Sequence, residues 1–178
     1  MQRKLLVTIH LYLASFFAPL IILVGLTGGL YILGVKGSVE RSDAAKIEQR
    51  TLLAPNEQSN AYIAGLLEEV GIEHSFDYIK AGPETITRPT SRTFYQFKQV
   101  GEDIVIVRNE PSTMNKLMEL HKGHGPILFR YFEALCAIGL LFVMISGLYL
   151  GLQSPMLKKK TLLLSGSGLA VFALLALI

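Results

Sequence analysis

The chain has 178 residues, of which 51% are hydrophobic and only 17% are charged, and its mean hydropathy is +0.42. Soluble domains carry about 25% charged residues, so this composition excludes a wholly soluble enzyme and a disordered chain. Residues 36–122 hold 11 of the 17 Lys/Arg and 13 of the 14 Asp/Glu, a net of −2, and the remainder carries +5. The overall charge of +3 therefore does not indicate a nucleic-acid binder. The pattern indicates a membrane protein with a polar insert.

The first long apolar segment runs from Leu5 to Val35 without a charged residue. It exceeds the roughly 20 residues that cross a bilayer, and a cleaved signal peptide would have an apolar core of only about 7–15 residues. Residues 1–35 are therefore interpreted as the first transmembrane helix, with a kink expected at Pro19. Hydropathy predicts a second transmembrane helix over residues 126–152 and a third over residues 161–178.

Two basic clusters predict the orientation in the membrane. Arg3 and Lys4 precede the first helix, and the loop of residues 153–160 between the second and third helices contains three consecutive lysines. The positive-inside rule places both clusters in the cytoplasm. We therefore expect a protein of the bacterial inner membrane whose N-terminus is cytoplasmic, with residues 36–125 and the C-terminus on the periplasmic side.

The insert has the pattern of a small α+β domain. Periodicity predicts a helix over residues 56–70 and then three antiparallel strands, over residues 74–80, 93–100 and 104–108. A second helix, Thr113 to His121, follows a Ser112 cap and leads into the second transmembrane helix. The expected fold class is a three-helix membrane protein with a small α+β extracytoplasmic insert made of a helix and a three-stranded antiparallel sheet.

Three segments resemble those of a known family. The first span ends in Thr27-Gly-Gly-Leu-Tyr31, the insert ends in Leu120-His-Lys-Gly-His-Gly125, and the second span ends in Ser146-Gly-Leu-Tyr-Leu150. Together with the insert, their order resembles the PepSY-associated transmembrane proteins, in which transmembrane helices flank a PepSY domain. The resemblance implies a periplasmic PepSY-like domain at residues 36–125. Larger, four-helix members are similar to iron-regulated membrane proteins, and some are haem-containing reductases of ferric siderophores.

His10 is an ionisable residue inside the first predicted span. A helix rises about 1.5 Å per residue, which places His10 roughly 8 Å from the cytoplasmic end, at the depth of Ser146 and Gly147. An intramembrane ionisable residue is a functional candidate, here as a haem b ligand whose second ligand is His10 of another copy in a parallel homodimer. The alternative is a neutral histidine that hydrogen-bonds to serine and holds the helices together.

His121 and His124 lie near the outer surface and are three residues apart, so they could share one helical face. They are candidate ligands for a metal or an interfacial haem. Two histidines without a carboxylate or cysteine form an incomplete metal site. The alternative is a pair of interfacial residues beside the bend into the second span.

Other intramembrane residues are candidates for helix packing. Arg130 and Glu133 are spaced i, i+3 and are expected to form an ion pair. Glu133 lies at the level of Thr27-Gly28-Gly29, so the pair is expected to lock the first two spans together. Small-residue pairs that permit close helix contact are expected to pack in the same way; they are Gly25 with Gly29, and Gly147, next to Ser146, with Gly151.

The sequence contains no nucleotide-binding loop, no catalytic triad order, no HExxH and no paired catalytic carboxylates, and its single cysteine excludes an intrachain disulfide. The expected function is an accessory subunit, embedded in lipid, that docks onto a larger membrane redox or iron-handling complex or forms a homodimer, without a nucleic-acid partner. The alternative is a small b-type haem protein in ferric-siderophore reduction or electron transfer. Any enzymatic activity would then be that of a haem-dependent reductase.

Overall fold

The long apolar segments of the sequence form helices, and the polar segment between the first two forms a sheet with two shorter helices. The computed structural model describes residues 3–178. Two compact units are distinguished, one of residues up to 21 together with 134–178 and the other of residues 22–133. The elements in chain order are α1 (Arg3–Ile32), β1 (Val39–Ile47), α2 (Asn60–Glu69), β2 (Tyr78–Lys80), β3 (Glu84–Arg88), β4 (Phe94–Val100), β5 (Asp103–Pro111), α3 (Thr113–His121), α4 (Ile127–Gln153) and α5 (Lys158–Leu177).

Three helices, α1, α4 and α5, are long and apolar enough to cross a membrane, with 30, 27 and 20 residues. Most of their apolar side chains are exposed, and α5 has no buried residue. Apolar side chains exposed along a whole helix are what a membrane span presents to lipid. The three lysines predicted in a loop form the first turn of α5, which begins at Lys158.

The sheet has five antiparallel strands in the order β1-β5-β4-β3-β2, so the expectation of three strands is wrong. The two additional strands are β1 and β3. β1 is an edge strand whose residues are mostly exposed, and it is interrupted by a register shift between Asp43 and Ala45. Charged side chains and bulges on an edge strand discourage pairing with another sheet. The same charges remove the apolar alternation by which a strand is recognised in a sequence.

The core of the 22–133 unit lies between the sheet and α2. Ile63, Leu66 and Leu67 of α2 pack against a cluster that includes Phe97 of β4 and Ile106 of β5. Phe97 and Ile106 are directly opposite in the β4–β5 register, and neither side chain is exposed to solvent. Burial of these side chains accounts for the main stabilisation of the insert, at about 1.5–3 kcal/mol for each fully buried large apolar residue.

The chain after α1 is attached to the beginning of α3. Ser112 caps α3, because its Oγ accepts a hydrogen bond from the Asn115 backbone N at 3.4 Å, and it also accepts one from the Ser38 backbone N at 3.0 Å. Gly37 has a positive φ of 73°, and a Cβ atom on it would overlap the Asn115 backbone N. Glycine is therefore required at position 37 by both its dihedral angle and its close neighbour. Residues 36–38 are thereby fixed against α3.

Candidate functional site

In the unit of residues up to 21 and 134–178, His10 of α1 faces Ser146 of α4. His10 Nδ1 lies 2.8 Å from Ser146 Oγ, and the Ser146 hydroxyl donates to the Val143 carbonyl oxygen at 3.1 Å. A hydroxyl has one proton, so with that proton on the carbonyl the imidazole donates from Nδ1. In that tautomer Nε2 carries the lone pair. The structure thus contains the histidine–serine hydrogen bond that one interpretation of His10 expects.

Glycines permit the close approach of side chains around this pair. A Cβ atom on Gly147 would lie 3.4 Å from His10 Cε1, and one on Gly139 would overlap the ring of Phe17. A Cβ atom on Gly151 would lie 2.6 Å from Thr161 Oγ1 of α5. Gly147 and Gly151 both have close neighbours from other helices, whereas a Cβ atom on Gly25 or Gly29 would meet nothing within 4 Å.

In the 22–133 unit, His121 at the end of α3 repeats the arrangement of His10. His121 Nδ1 lies 2.7 Å from Thr27 Oγ1, and the Thr27 hydroxyl donates to the Leu23 carbonyl oxygen at 2.7 Å. His121 Cε1 lies 3.2 Å from where a Cβ atom on Gly28 would be. By the same reasoning His121 donates from Nδ1, and its Nε2 carries the lone pair.

Ser146-Gly147 and Thr27-Gly28 are both a hydroxyl residue followed by glycine, and each dipeptide contacts one histidine ring. Depth along the spans predicted that His10 lies beside Ser146 and Gly147, but it did not predict His121 beside Thr27. A signal was available, because Thr27-Gly28 and Ser146-Gly147 occupy the same position in two similar segments of the chain.

The expected lock between Arg130 and Glu133 is not observed. Among residues 3–178 no ion pair joins them, and the Arg130 guanidinium lies over the Tyr78 ring, 5.2 Å from its centroid. A Glu133 carboxylate oxygen lies 4.0 Å from where a Cβ atom on Gly123 would be. The Thr27-Gly28 surface that Glu133 was expected to fill is occupied by His121, because α3 ends against α1.

His124 lies in a different setting from His121, so the two do not form a common site. α3 ends at His121, and Gly123 has a positive φ of 71°, which turns the chain. His124 Nδ1 then lies 2.8 Å from Glu119 Oε2, whereas His121 contacts Thr27. In the described part of the chain, no group of three or more His, Cys, Asp or Glu side chains could hold a metal ion.

Glu119 is the centre of a largely buried polar network. Its carboxylate lies 3.6 Å from Arg88 Nη1 and 2.9 Å from Lys122 Nζ, and it accepts a hydrogen bond from Thr90 Oγ1 at 2.5 Å. The Arg88 and Glu119 side chains are only 7% and 13% exposed. This network attaches the end of β3 and the loop that follows it to α3. No feature of the sequence indicated that Arg88 and Thr90 join it, because both lie far along the chain from Glu119.

The network keeps Glu119 ionised at neutral pH. Burial acts to raise the pKa of Glu119, but hydrogen bonds from Thr90, Lys122 and His124 together outweigh burial and hold the pKa below its ordinary value. Burial lowers the pKa of Arg88, and the negative charge of Glu119 opposes this effect. A carboxylate shared by several donors is a stable anion even where water is scarce.

A groove adjoins His121 between the last turns of α1 and α3. Its volume is about 490 Å³, within the range of small-molecule sites. Two ammonium groups lie near its aromatic wall: Lys36 Nζ is 4.6 Å and Lys122 Nζ is 5.7 Å from the centroid of the Tyr31 ring. The groove is lined by Thr27, Gly28, Tyr31, Met118, His121 and Lys122.

Three apolar helices, with a five-stranded sheet and two short helices between the first and second, define a membrane protein that carries an α+β insert. Residues 7–168 match the family model described as the PepSY-associated TM region. The chain therefore belongs to the PepSY-associated transmembrane family, and the predicted family is confirmed. No curated protein and no solved structure matches the chain.

Proposed function

We propose that the protein is an accessory subunit of a larger membrane complex that handles electrons or iron. The observation that carries this proposal is the face of α1 that contains Gly25 and Gly29, where a Cβ atom would meet nothing within 4 Å. Glycines four residues apart allow another helix to approach closely. Because nothing else in the 22–133 unit covers this face, a helix of another polypeptide is its proposed neighbour.

The third span offers a second surface of the same kind. No residue of α5 is buried, and Cβ atoms on Gly166 and Gly168 would also meet nothing within 4 Å. Lipid covers large apolar side chains well, whereas small residues are typical of helix–helix interfaces in membranes. In this proposal α1 and α5 both dock against the partner complex.

The proposed orientation places the three lysines at the start of α5 in the cytoplasm of a bacterium and residues 36–125, as a PepSY-like domain, in the periplasm. Within the 22–133 unit this domain is bonded to the start of α4. An Asp77 carboxylate oxygen accepts from the Ile127 backbone N at 3.0 Å, and the Thr90 backbone N donates to the His124 carbonyl at 3.1 Å. A partner that contacts the domain would thereby act on the α4 N-terminus, which supports a sensing or assembly role.

The docking proposal is tested by extracting the protein from its membrane in lipid particles without detergent and measuring particle mass. The double variant Gly25→Leu/Gly29→Leu fills the open face, and Ser15→Leu is the matched control because Ser15 is an exposed residue of the same helix. We expect the wild type and the control in a large complex and the double variant as a single chain. A double variant that stays in a complex of unchanged mass would refute docking through α1.

A second candidate function is a b-type haem protein in ferric-siderophore reduction or electron transfer. It is favoured by the contacts of His10 and His121, whose Nδ1 atoms each lie within hydrogen-bonding distance of a hydroxyl, so that the tautomer with a proton on Nδ1 would offer Nε2 as a ligand atom. A histidine that ligates a metal usually has its other ring nitrogen bonded in this way. His10 and His121 would each supply one imidazole donor to haem, and a second histidine donor would have to come from another copy of the chain. Bound haem would supply one-electron transfer.

The haem candidate is tested by the absorption spectrum of protein purified from cells supplied with a haem precursor. It predicts a Soret band that weakens in His10→Ala and in His121→Ala. His74→Ala is the control, because the His74 ring lies in the insert, where it makes an edge-to-face contact with the Tyr95 ring at 4.8 Å between centroids. A wild type without a Soret band would reject this function. Both histidines would then have only the structural role of hydrogen-bonding one helix to another.

A further inference from the structure

The groove beside His121 has walls that are fixed at both ends. At one end the Thr27–His121 hydrogen bond joins α1 to the last residue of α3. At the other end, Gly37 lies against the Asn115 backbone, and Asn115 Nδ2 donates to the Lys36 carbonyl oxygen at 3.4 Å. The groove is therefore formed before any ligand arrives, which lowers the entropic cost of binding.

The charge at the mouth of this groove is positive. Lys36 forms no ion pair within residues 3–178, although its ammonium group lies 4.6 Å from the Tyr31 ring centroid. The Lys122 ammonium lies near the same ring and pairs with Glu119, which is also bonded to His124 and lies near Arg88. An anion near both ammonium groups would be attracted by them, and Lys36 has no carboxylate partner in the described part of the chain to displace.

The floor of the groove extends into the apolar part of α1. Lys36 is the first charged residue after Lys4, so Tyr31, Gly28 and Thr27 all lie within the uncharged segment. Gly28 leaves space beside His121, and Met118 contributes an apolar wall. Tyrosine and lysine at the end of a span are typical of the membrane–water interface. A ligand of this groove thus meets cations at one end and an apolar surface at the other.

We propose that this groove binds an anionic phospholipid of the surrounding membrane, with its phosphate between Lys36 and Lys122 and its glycerol and acyl portion along Gly28 and Met118. The lipid is favoured over free inorganic phosphate because the cationic mouth continues into an apolar floor. The proposal does not depend on the docking surface of Gly25 and Gly29.

The test is native mass spectrometry of the full chain, delipidated in detergent and titrated with phosphatidylglycerol or phosphatidylcholine. We expect phosphatidylglycerol to bind at least fivefold more tightly, and Lys36→Gln and Lys122→Gln each to weaken it about fivefold, since a lysine near an anionic lipid surface contributes about that factor. Lys36→Gln is the cleaner variant because it breaks no ion pair. Lys36→Arg should restore binding, and Lys116→Gln, an exposed lysine of α3, should bind like the wild type.

Several outcomes would overturn the assignment. Equal binding of the two lipids, or unchanged binding by Lys36→Gln, would show that the cations do not recognise a phosphate. Displacement of phosphatidylglycerol by an equal concentration of inorganic phosphate would make the groove a site for the free anion. A Soret band that is lost in His121→Ala would assign the groove to haem instead. If the docking experiment with Gly25 and Gly29 fails while phosphatidylglycerol binds as expected, the lipid site stands alone.

Discussion

Replacing Thr27 by valine tests whether His121 is held as described. Valine has nearly the shape of threonine but lacks the hydroxyl that accepts the His121 Nδ1–H bond at 2.7 Å. The Leu23 carbonyl, which accepts the Thr27 hydroxyl, can still accept the helical backbone bond. The variant therefore removes one hydrogen bond and leaves the α1 backbone intact.

The expected loss of stability is modest. A hydrogen bond contributes about 0.5–1.5 kcal/mol net, and measured values within membranes average about 0.6 kcal/mol. Thr27 is only 1% exposed, but His121 borders a groove that water can enter, so we expect about 1 kcal/mol. In a double-mutant cycle, the same Thr27→Val change in a His121→Ala background should cost close to nothing.

Stability alone does not isolate the hydroxyl, because the control Thr27→Ser removes a buried methyl worth about 0.8 kcal/mol. The decisive assay is nitrogen NMR of labelled histidine, which distinguishes the two tautomers. We expect a protonated Nδ1 and an unprotonated Nε2 for His121 in the wild type and in Thr27→Ser, and a mixture of tautomers in Thr27→Val. A wild-type His121 protonated on Nε2 would refute the reasoning, including its application to His10.

Three further predictions follow from packing and charge, each measured by equilibrium unfolding in detergent. Gly139→Ala places a Cβ atom against the Phe17 ring and should destabilise the protein by about 1–3 kcal/mol, whereas Gly25→Ala, which meets no neighbour, should not; equal effects would contradict the described packing. Arg88→Met leaves Glu119 without one of its cations and should cost about 3 kcal/mol; a loss below about 1 kcal/mol would show that the pair is solvated. The pKa of folded Glu119 lies below its ordinary value of 4.5. The contribution of the ionised carboxylate to the free energy of unfolding is therefore complete above pH 4.5 and is lost as the pH falls through the lower folded pKa. Glu119→Gln should remove this part of the acid dependence.

Long uncharged segments made the three spans predictable, because no other arrangement accommodates so many consecutive apolar residues. The helix from Thr113 to His121 was also predictable, since Ser112 caps it and its boundaries depend on local sequence. In the insert, β4 and β5 were recognised from their apolar residues. β1 was not predicted as a strand, because its residues are exposed and charged and it is held in the sheet only by pairing with β5, which lies far along the chain.

The site was predictable only in part, because sequence gives the height of a residue along a span but not its direction around the helix. The depth calculated from the helical rise per residue predicted that His10 lies beside Ser146, and these two side chains are hydrogen-bonded. The same arithmetic placed Glu133 beside Thr27, but His121 occupies that position because of how α3 approaches α1. The direction of α3 depends on long-range contacts such as the tie between Gly37 and Asn115.

The most direct test of the proposed accessory function is the composition of the particle extracted, without detergent, from the membrane in which the protein is naturally made. Quantitative mass spectrometry of that particle would identify its polypeptides, and its absorption spectrum would report bound haem. The proposal predicts this chain in a fixed ratio with at least one different membrane polypeptide, and separation of the two in Gly25→Leu/Gly29→Leu. A particle that contains this chain alone, as a monomer or as a haem-bearing homodimer, would contradict it.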